Sequence, residues 1–166
     1  MDPILEILEH NAKACPEDIA KMLGKDPQEV RDTIKKYEAD NIILKYKTIL
    51  NKEAIHDYAS DSNAEVRALI EVKIIPQRDR GFDSVAERIY NFPEVTSCYL
   101  LSGGYDLLLV VEGATLASVA NFVAQKLSPL ENVRGTSTHF LLKKYKEDGD
   151  ILTAGKQSDT RLQVSP

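Results

Sequence analysis

The apolar residues of this chain change period near Leu44, and that change sets its organisation. Before it they recur at helical spacing; beyond it, strands alternate with helices. At 166 residues the chain has room for one ordinary domain or two small ones, and the change of period argues for two. The expected division is a helical unit over residues 1–50, a polar linker or hinge over 51–65, a mixed unit over 66–146 and a polar tail over 147–166.

The first unit reads as three short helices. Ile4, Leu5 and Leu8 share one face of a helix from about Asp2 to Asn11. Pro16 suits a first helical position, Glu17 and Asp18 supply first-turn acids, and Gly24 ends a second helix built on Ile19, Ala20 and Leu23. Asp26-Pro27-Gln28-Glu29 combines an N-cap acid, a proline at the first helical position and the Glu that completes a capping box. The third helix then carries Val30, Ile34 and Tyr37 inward and closes at Asp40-Asn41, Asn tolerating a left-handed exit. Two helices joined by a short Gly-containing turn form the pattern of a helix-turn-helix, and also of a plain three-helix packing unit. Ile42 to Leu50 favours β structure and is expected as a strand or wing.

The second unit reads βαββαβ, the ferredoxin-like arrangement in an α+β chain. Its strands are expected over Val66–Ile75, ended by Pro76, then over Val95–Leu101, Tyr105–Glu112 and Val133–Lys144, with helices over Phe82–Tyr90 and Leu116–Leu127. Strand one places Val66, Ala68, Ile70, Val72 and Ile74 on one face. The two halves echo each other: Phe92-Pro93-Glu94-Val95 and Leu130-Glu131-Asn132-Val133 each lead from a helix through a Glu-containing turn to a Val that opens an outer strand. Leu107 to Val111 is apolar at every position, as in a strand covered on both faces. The expected cover is the sheet of a second copy, giving a homodimer; the alternative packs Leu107, Leu109 and Val111 under the linker or tail. In that tail only Arg161-Leu162-Gln163-Val164 has strand character.

Composition narrows the functions. Leu107–Val111 is the longest aliphatic run, far short of the roughly 20 residues of a membrane span, and Met1-Asp2-Pro3 lacks the features of a signal peptide, so a cytoplasmic protein is expected. Cys15 and Cys98 are too few for a disulfide scaffold or a closed zinc site and read as structural thiols, while His10, His56 and His139 lack ligand spacing. No nucleophile–base pair and no paired carboxylates point to an enzyme. The formal charge of −5 and a pI near 5.3 run against the basic footprint of most nucleic-acid binders.

A helix-turn-helix joined through a hinge to a βαββαβ domain resembles the Lrp/AsnC family, the feast/famine regulators. The likeness is carried by Ile42-Ile43 with Leu50-Asn51, Phe92-Pro93-Glu94-Val95, Gly103-Gly104-Tyr105-Asp106-Leu107, and Val133 with Thr138 and Phe140-Leu141-Leu142-Lys143, over about residues 2–146. The resemblance implies a sequence-specific transcription regulator, a homodimer that associates further into octamers, whose assembly and affinity for double-stranded DNA respond to a small amino-acid effector. It also implies that the effector sits at the turn between strands two and three, which makes Gly103, Gly104, Tyr105 and Asp106 binding candidates and Thr138 a weaker one.

Side-chain chemistry adds roles. With Val30, Ile34 and Tyr37 turned inward, Gln28, Asp32 and Lys35 face outward, flanked by Arg31 and Lys36. Gln pairs with adenine and Arg or Lys with guanine, so Gln28, Arg31, Lys35 and Lys36 are the DNA-contact candidates. Asp32 either accepts from a cytosine amine, pairs with Lys35 or Lys36, or weakens DNA binding. Residues 1–50 hold eight bases and ten acids. That balance keeps open an alternative, an effector-binding oligomer of the same fold with weak or lost DNA binding. At the turn, Gly103 and Gly104 N–H groups suit a ligand carboxylate and Asp106 a ligand ammonium; the alternative is a hairpin whose Asp106 caps its own backbone. His139 alternates onto a different face from Thr138 and reads as a packing or surface residue.

Overall fold

The computed structural model describes residues 1–50, 66–75 and 81–152. It divides into two units, Met1–Lys52 and Glu53–Pro166. The expected linker, Pro76, His56 and the strand-like Arg161–Val164 lie outside the described residues.

In the first unit, α1 (Pro3–His10), α2 (Pro16–Leu23) and α3 (Pro27–Ala39) each begin on a proline, whose fixed φ and missing N–H suit the first helical position. Asp2 Oδ1 accepts from the Ile4 N–H at 2.8 Å, and Asp26 Oδ1 accepts from Gln28 and Glu29 N–H at 2.8 and 3.3 Å. The capping box expected at Asp26 is half formed, because the Glu29 carboxylate turns to Lys25 Nζ at 3.1 Å. Gly24 adopts φ +64° at the end of α2, where a Cβ would meet the carbonyl, and turns the chain into α3 within three residues. Asn41, at φ 56°, makes the left-handed exit, with the Ile42 and Ile43 N–H groups both donating to the Tyr37 carbonyl. Ile4, Leu8, Ile19, Ala20 and Val30 form the sealed core. Residues 42–50, expected as a strand or wing, form neither helix nor strand. Leu44, Tyr46 and Leu50 are exposed there, while Ile43 packs on the first core and Ile49 is half-buried.

The second unit contains β1 (Val66–Ile74), α4 (Asp83–Tyr90), β2 (Val95–Leu100), β3 (Leu107–Gly113), α5 (Leu116–Phe122, continued by a π-helical turn Val123–Leu127) and β4 (Val133–Phe140). The sheet is antiparallel in the order β2-β3-β1-β4, as the βαββαβ reading requires. A short hairpin follows, β5 (Lys146–Glu147) with β6 (Asp150–Ile151), in a stretch that had read as polar tail. Asp148 and Gly149 supply its turn, both with positive φ.

The echo between the halves extends to individual hydrogen bonds. Phe92 and Leu130 N–H donate to the helical carbonyls of Ile89 and Leu127, and Val95 and Val133 N–H donate back to Phe92 and Leu130. Each outer strand also carries a register shift just after its opening Val, at Thr96 and at Arg134.

The helices cover one face of the sheet. Ala68, Ile70, Val72 and Ile74 join Leu107, Leu109 and Val111 beneath Val85, Ile89, Val119, Phe122 and Leu127. Leu107, Leu109 and Val111 therefore belong to this core, at 0–1% exposure, and not to the second face suggested by the packing alternative. The apolar residues of the second face are Leu69, Leu108 and Val110, one residue out of phase. One end of that face is screened by the returning chain. The Leu141 N–H donates to the Arg67 carbonyl at 2.8 Å, and Arg67 bridges Glu112 and Glu147 at 3.3 and 2.8 Å. An open groove of about 420 Å³ lies there between Leu69, Val110, Leu141 and Tyr145. At the other end Leu108 is part-buried and Tyr99 exposed.

Gly113 sits where β3 meets the start of α5, and a Cβ there would stand 2.6 Å from Ser118 Oγ and 3.0 Å from Val119 Cγ2. Ser118 and Thr115 form a reciprocal capping box at this point, each backbone N–H donating to the other's hydroxyl at 3.0 Å. Gly113→Ala is therefore expected to lower unfolding stability by about 1–3 kcal/mol through overpacking. Chemical denaturation of the full chain measures this.

Candidate functional site

The outward face of α3 is built as its inward face demands. Val30 is fully buried and Ile34 packs on the same core, which turns Gln28, Arg31, Asp32, Lys35 and Lys36 to solvent. Two of the four DNA-contact candidates are held by acids. Gln28 Nε2 donates to Asp32 Oδ1 at 3.0 Å, one helical turn away. Arg31 Nη2 lies 2.6 Å from Glu17 Oε1 on α2. Asp32 thus pairs with Gln28, a partner outside the three choices the sequence suggested for it. Glu17 had read only as a first-turn acid. Its own backbone N–H, the Cys15 thiol and the Arg31 guanidinium hold its carboxyl below the ordinary carboxylate range. Lys35 and Lys36 remain exposed on the same helix.

At the turn, Gly103 and Gly104 are exposed, and a Cβ at either would meet nothing within 4 Å. Tyr105 is half-buried. Asp106 is tied to β1: Oδ2 accepts from the Ile74 N–H at 2.9 Å, Oδ1 from Lys73 Nζ at 3.1 Å, and its own N–H donates to the Val72 carbonyl at 3.0 Å. Its carbonyl accepts from the Leu101 N–H at 2.8 Å, closing the turn. The Ile74 N–H foremost, then the Lys73 ammonium, hold its carboxyl below the ordinary range against the opposing pull of desolvation. Asp106 thus caps backbone, but that of the neighbouring strand, and an ammonium already stands at its carboxylate.

Thr138 lies across β1 from the turn. It pairs with Ile70 on β4, and β4 neighbours β1, not the strands that form the turn. Two strand spacings of about 4.8 Å separate β4 from β3, so one copy does not bring Thr138 to the turn. His139 is on the other face of the sheet, exposed, with Nε2 3.3 Å from Glu71 Oε2 and 3.2 Å from Ser137 Oγ. Lys73 is the residue that sequence reasoning missed here. Its signal is the β1–β3 register: with Val72 opposite Leu107, the next pair outward is Lys73 and Asp106. Among the described residues no group of His, Cys, Asp and Glu side chains could hold a metal ion, and no helix is long and apolar enough to cross a membrane.

One chain thus carries a three-helix unit with an outward polar third helix and a ferredoxin-like sheet domain. A family model described as winged helix-turn-helix DNA-binding matches residues 4–43, and one described as the Lrp/AsnC ligand binding domain matches residues 67–151. The chain belongs to the Lrp/AsnC family of transcriptional regulators. It is 47% identical over 163 residues to YugG, an uncharacterized HTH-type transcriptional regulator of Bacillus subtilis, covering 98% of this chain and 95% of that one. It is 25% identical over 144 residues to the leucine-responsive regulatory protein of Haemophilus influenzae, covering 87% and 82%. Among solved structures, a transcriptional regulator from Neisseria meningitidis in complex with L-Met matches with a TM-score of 0.66 at 25% identity, over 87% of this chain and 89% of that one.

Proposed function

We propose that this chain binds double-stranded DNA through α3 and takes a small amino-acid effector at the Gly103–Asp106 turn, acting in the cytoplasm as a homodimer able to associate into octamers. The observation that carries the reading is the outward face of α3: Gln28, Arg31, Lys35 and Lys36 lie exposed on the second helix of a helix-turn-helix whose other face is sealed. Lys35 and Lys36 can neutralise phosphates, and Gln28 and Arg31 can reach base edges.

For the effector, Gly103 and Gly104 are exposed with open space where a Cβ would stand, and their N–H groups suit a ligand carboxylate. Asp106 and Lys73 form an ion pair beside them that an incoming ammonium and carboxylate can enter. The complex of the Neisseria meningitidis relative with L-Met supports this ligand class. Thr138 reaches such a site only if a second copy brings its β4 edge to the turn, which ties the effector to assembly. The dimer contact is the second face of the sheet, where Leu108 and Tyr99 give apolar area.

A second reading, an effector-binding oligomer with weak DNA affinity, is favoured by one fact: Arg31 and Gln28 are already engaged by Glu17 and Asp32. Retardation of DNA from upstream of the protein's own gene, at two salt concentrations, with and without a panel of amino acids, separates the two. Specific retardation that weakens with salt and shifts with one amino acid is the expected result. No retardation at low salt, with amino-acid binding intact, establishes the second reading.

A further inference from the structure

We propose that Glu17 is a positioning residue for base reading: it holds the Arg31 guanidinium in place on the face of α3, raising sequence discrimination at the expense of general DNA affinity. The inference rests on the reading of α3 as the groove-facing helix.

Glu17 is well placed to hold a partner. It is the second residue of α2, behind Pro16, where the helix N-terminus favours a negative charge. Its carboxylate reaches across to α3, with Oε1 2.6 Å from Arg31 Nη2. The pair has little to do with holding the two helices together. Its side chains are 45% and 42% exposed, and exposed ion pairs contribute little to stability; the helices are joined instead by Ile19, Ala20 and Val30.

An ion pair that does not hold the fold still acts on what the guanidinium does next. The fork has five N–H donors, and a carboxylate at one nitrogen leaves donors free for the two acceptors of a guanine edge. Arg otherwise loses considerable rotamer entropy when it is fixed against a base, and a partner that fixes it beforehand reduces that loss. The same carboxylate repels phosphates, so it lowers binding to DNA of any sequence. Restricting Arg31 widens the gap between correct and random DNA, while the repulsion lowers both affinities alike.

The test uses the full-length chain and its Glu17→Gln, Arg31→Ala and doubly substituted variants, with fluorescence anisotropy on the upstream fragment and on a random fragment of equal length across a salt series. Glu17→Gln is expected to bind random DNA about two- to fivefold more tightly, with the salt slope steeper by up to about one. The ratio of specific to random affinity is expected to fall about threefold or more, with at most a small drop in melting temperature from the lost first-turn charge. In the Arg31→Ala background, Glu17→Gln is expected to leave that ratio unmoved, since its effect on reading passes through Arg31. An unchanged ratio in Glu17→Gln, or the same fall with Arg31 absent, overturns the proposal while the wild type still binds its fragment specifically. A wild type without specific binding overturns the reading of α3 itself, and the proposal with it.

Discussion

Asp106→Ala is expected to lower unfolding stability by about 2–3 kcal/mol and to abolish the response to the amino acid. The carboxylate takes the Ile74 N–H at the end of β1 and the Lys73 ammonium, while the Asp106 backbone ties Val72 to Leu101. Removing it leaves the part-buried Ile74 N–H and the Lys73 ammonium without their partner beside the turn, although the backbone bonds of residue 106 remain. Asp106→Asn retains an oxygen for Ile74 but loses the charge facing Lys73, so a smaller loss is expected.

The acid limb separates these effects. A carboxyl whose folded pKa lies below its unfolded value contributes stability in full above the unfolded pKa, near 3.8 here, and loses it as pH falls through the lower folded value. Wild type is therefore expected to lose stability from about pH 5 downward more steeply than Asp106→Asn. Chemical denaturation between pH 2 and 7, with calorimetric titration of the amino acid at neutral pH, measures both parts. A response that survives in Asp106→Ala removes the turn from the effector site.

Leu108→Glu is expected to convert the proposed homodimer to monomers and to weaken binding of the upstream fragment about 100-fold. Leu108 occupies the second face of the sheet, between Tyr99 on β2 and Glu71 on β1, and does not touch the helix-covered core. A new carboxylate there adjoins Glu71 and, in a face-to-face dimer, is buried without a partner. The monomer is expected to keep its fold, seen as an unchanged far-UV spectrum, because Leu107 and Leu109 still seal the other face. Sedimentation gives the mass and anisotropy the affinity. A monomer that binds DNA as tightly as wild type breaks the link between assembly and binding.

Much of the fold was legible because its signals are local. Pro16, Pro27 and Gly24 punctuate the helices by backbone geometry alone, and the alternation of Ala68, Ile70, Val72 and Ile74 defines a strand whatever its neighbours. The capping box expected at Asp26–Glu29 was half wrong because Lys25 competes for the Glu29 carboxylate, whereas Thr115 and Ser118 form one that the sequence reading passed over. What the candidate site needed was non-local. Glu17 meets Arg31 only once α2 and α3 have packed, and Lys73 meets Asp106 only once β1 and β3 are in register. The covered face of β3 was open to a one-residue ambiguity, since a strand apolar at every position carries no period to read.

These pairs sharpen the meaning of an acidic chain that carries a DNA-binding head. With Arg31 held by Glu17 and Gln28 by Asp32, the exposed bases of α3 outside such pairs are Lys35 and Lys36, too few for one head to bind DNA tightly. Affinity then has to come from several heads on one assembly. The direct measurement is the number of chains in the first specific complex, read by sedimentation of a labelled upstream fragment as protein is added. The account predicts that this complex carries at least two chains, with no specific complex of one; a specific complex holding a single chain would contradict it.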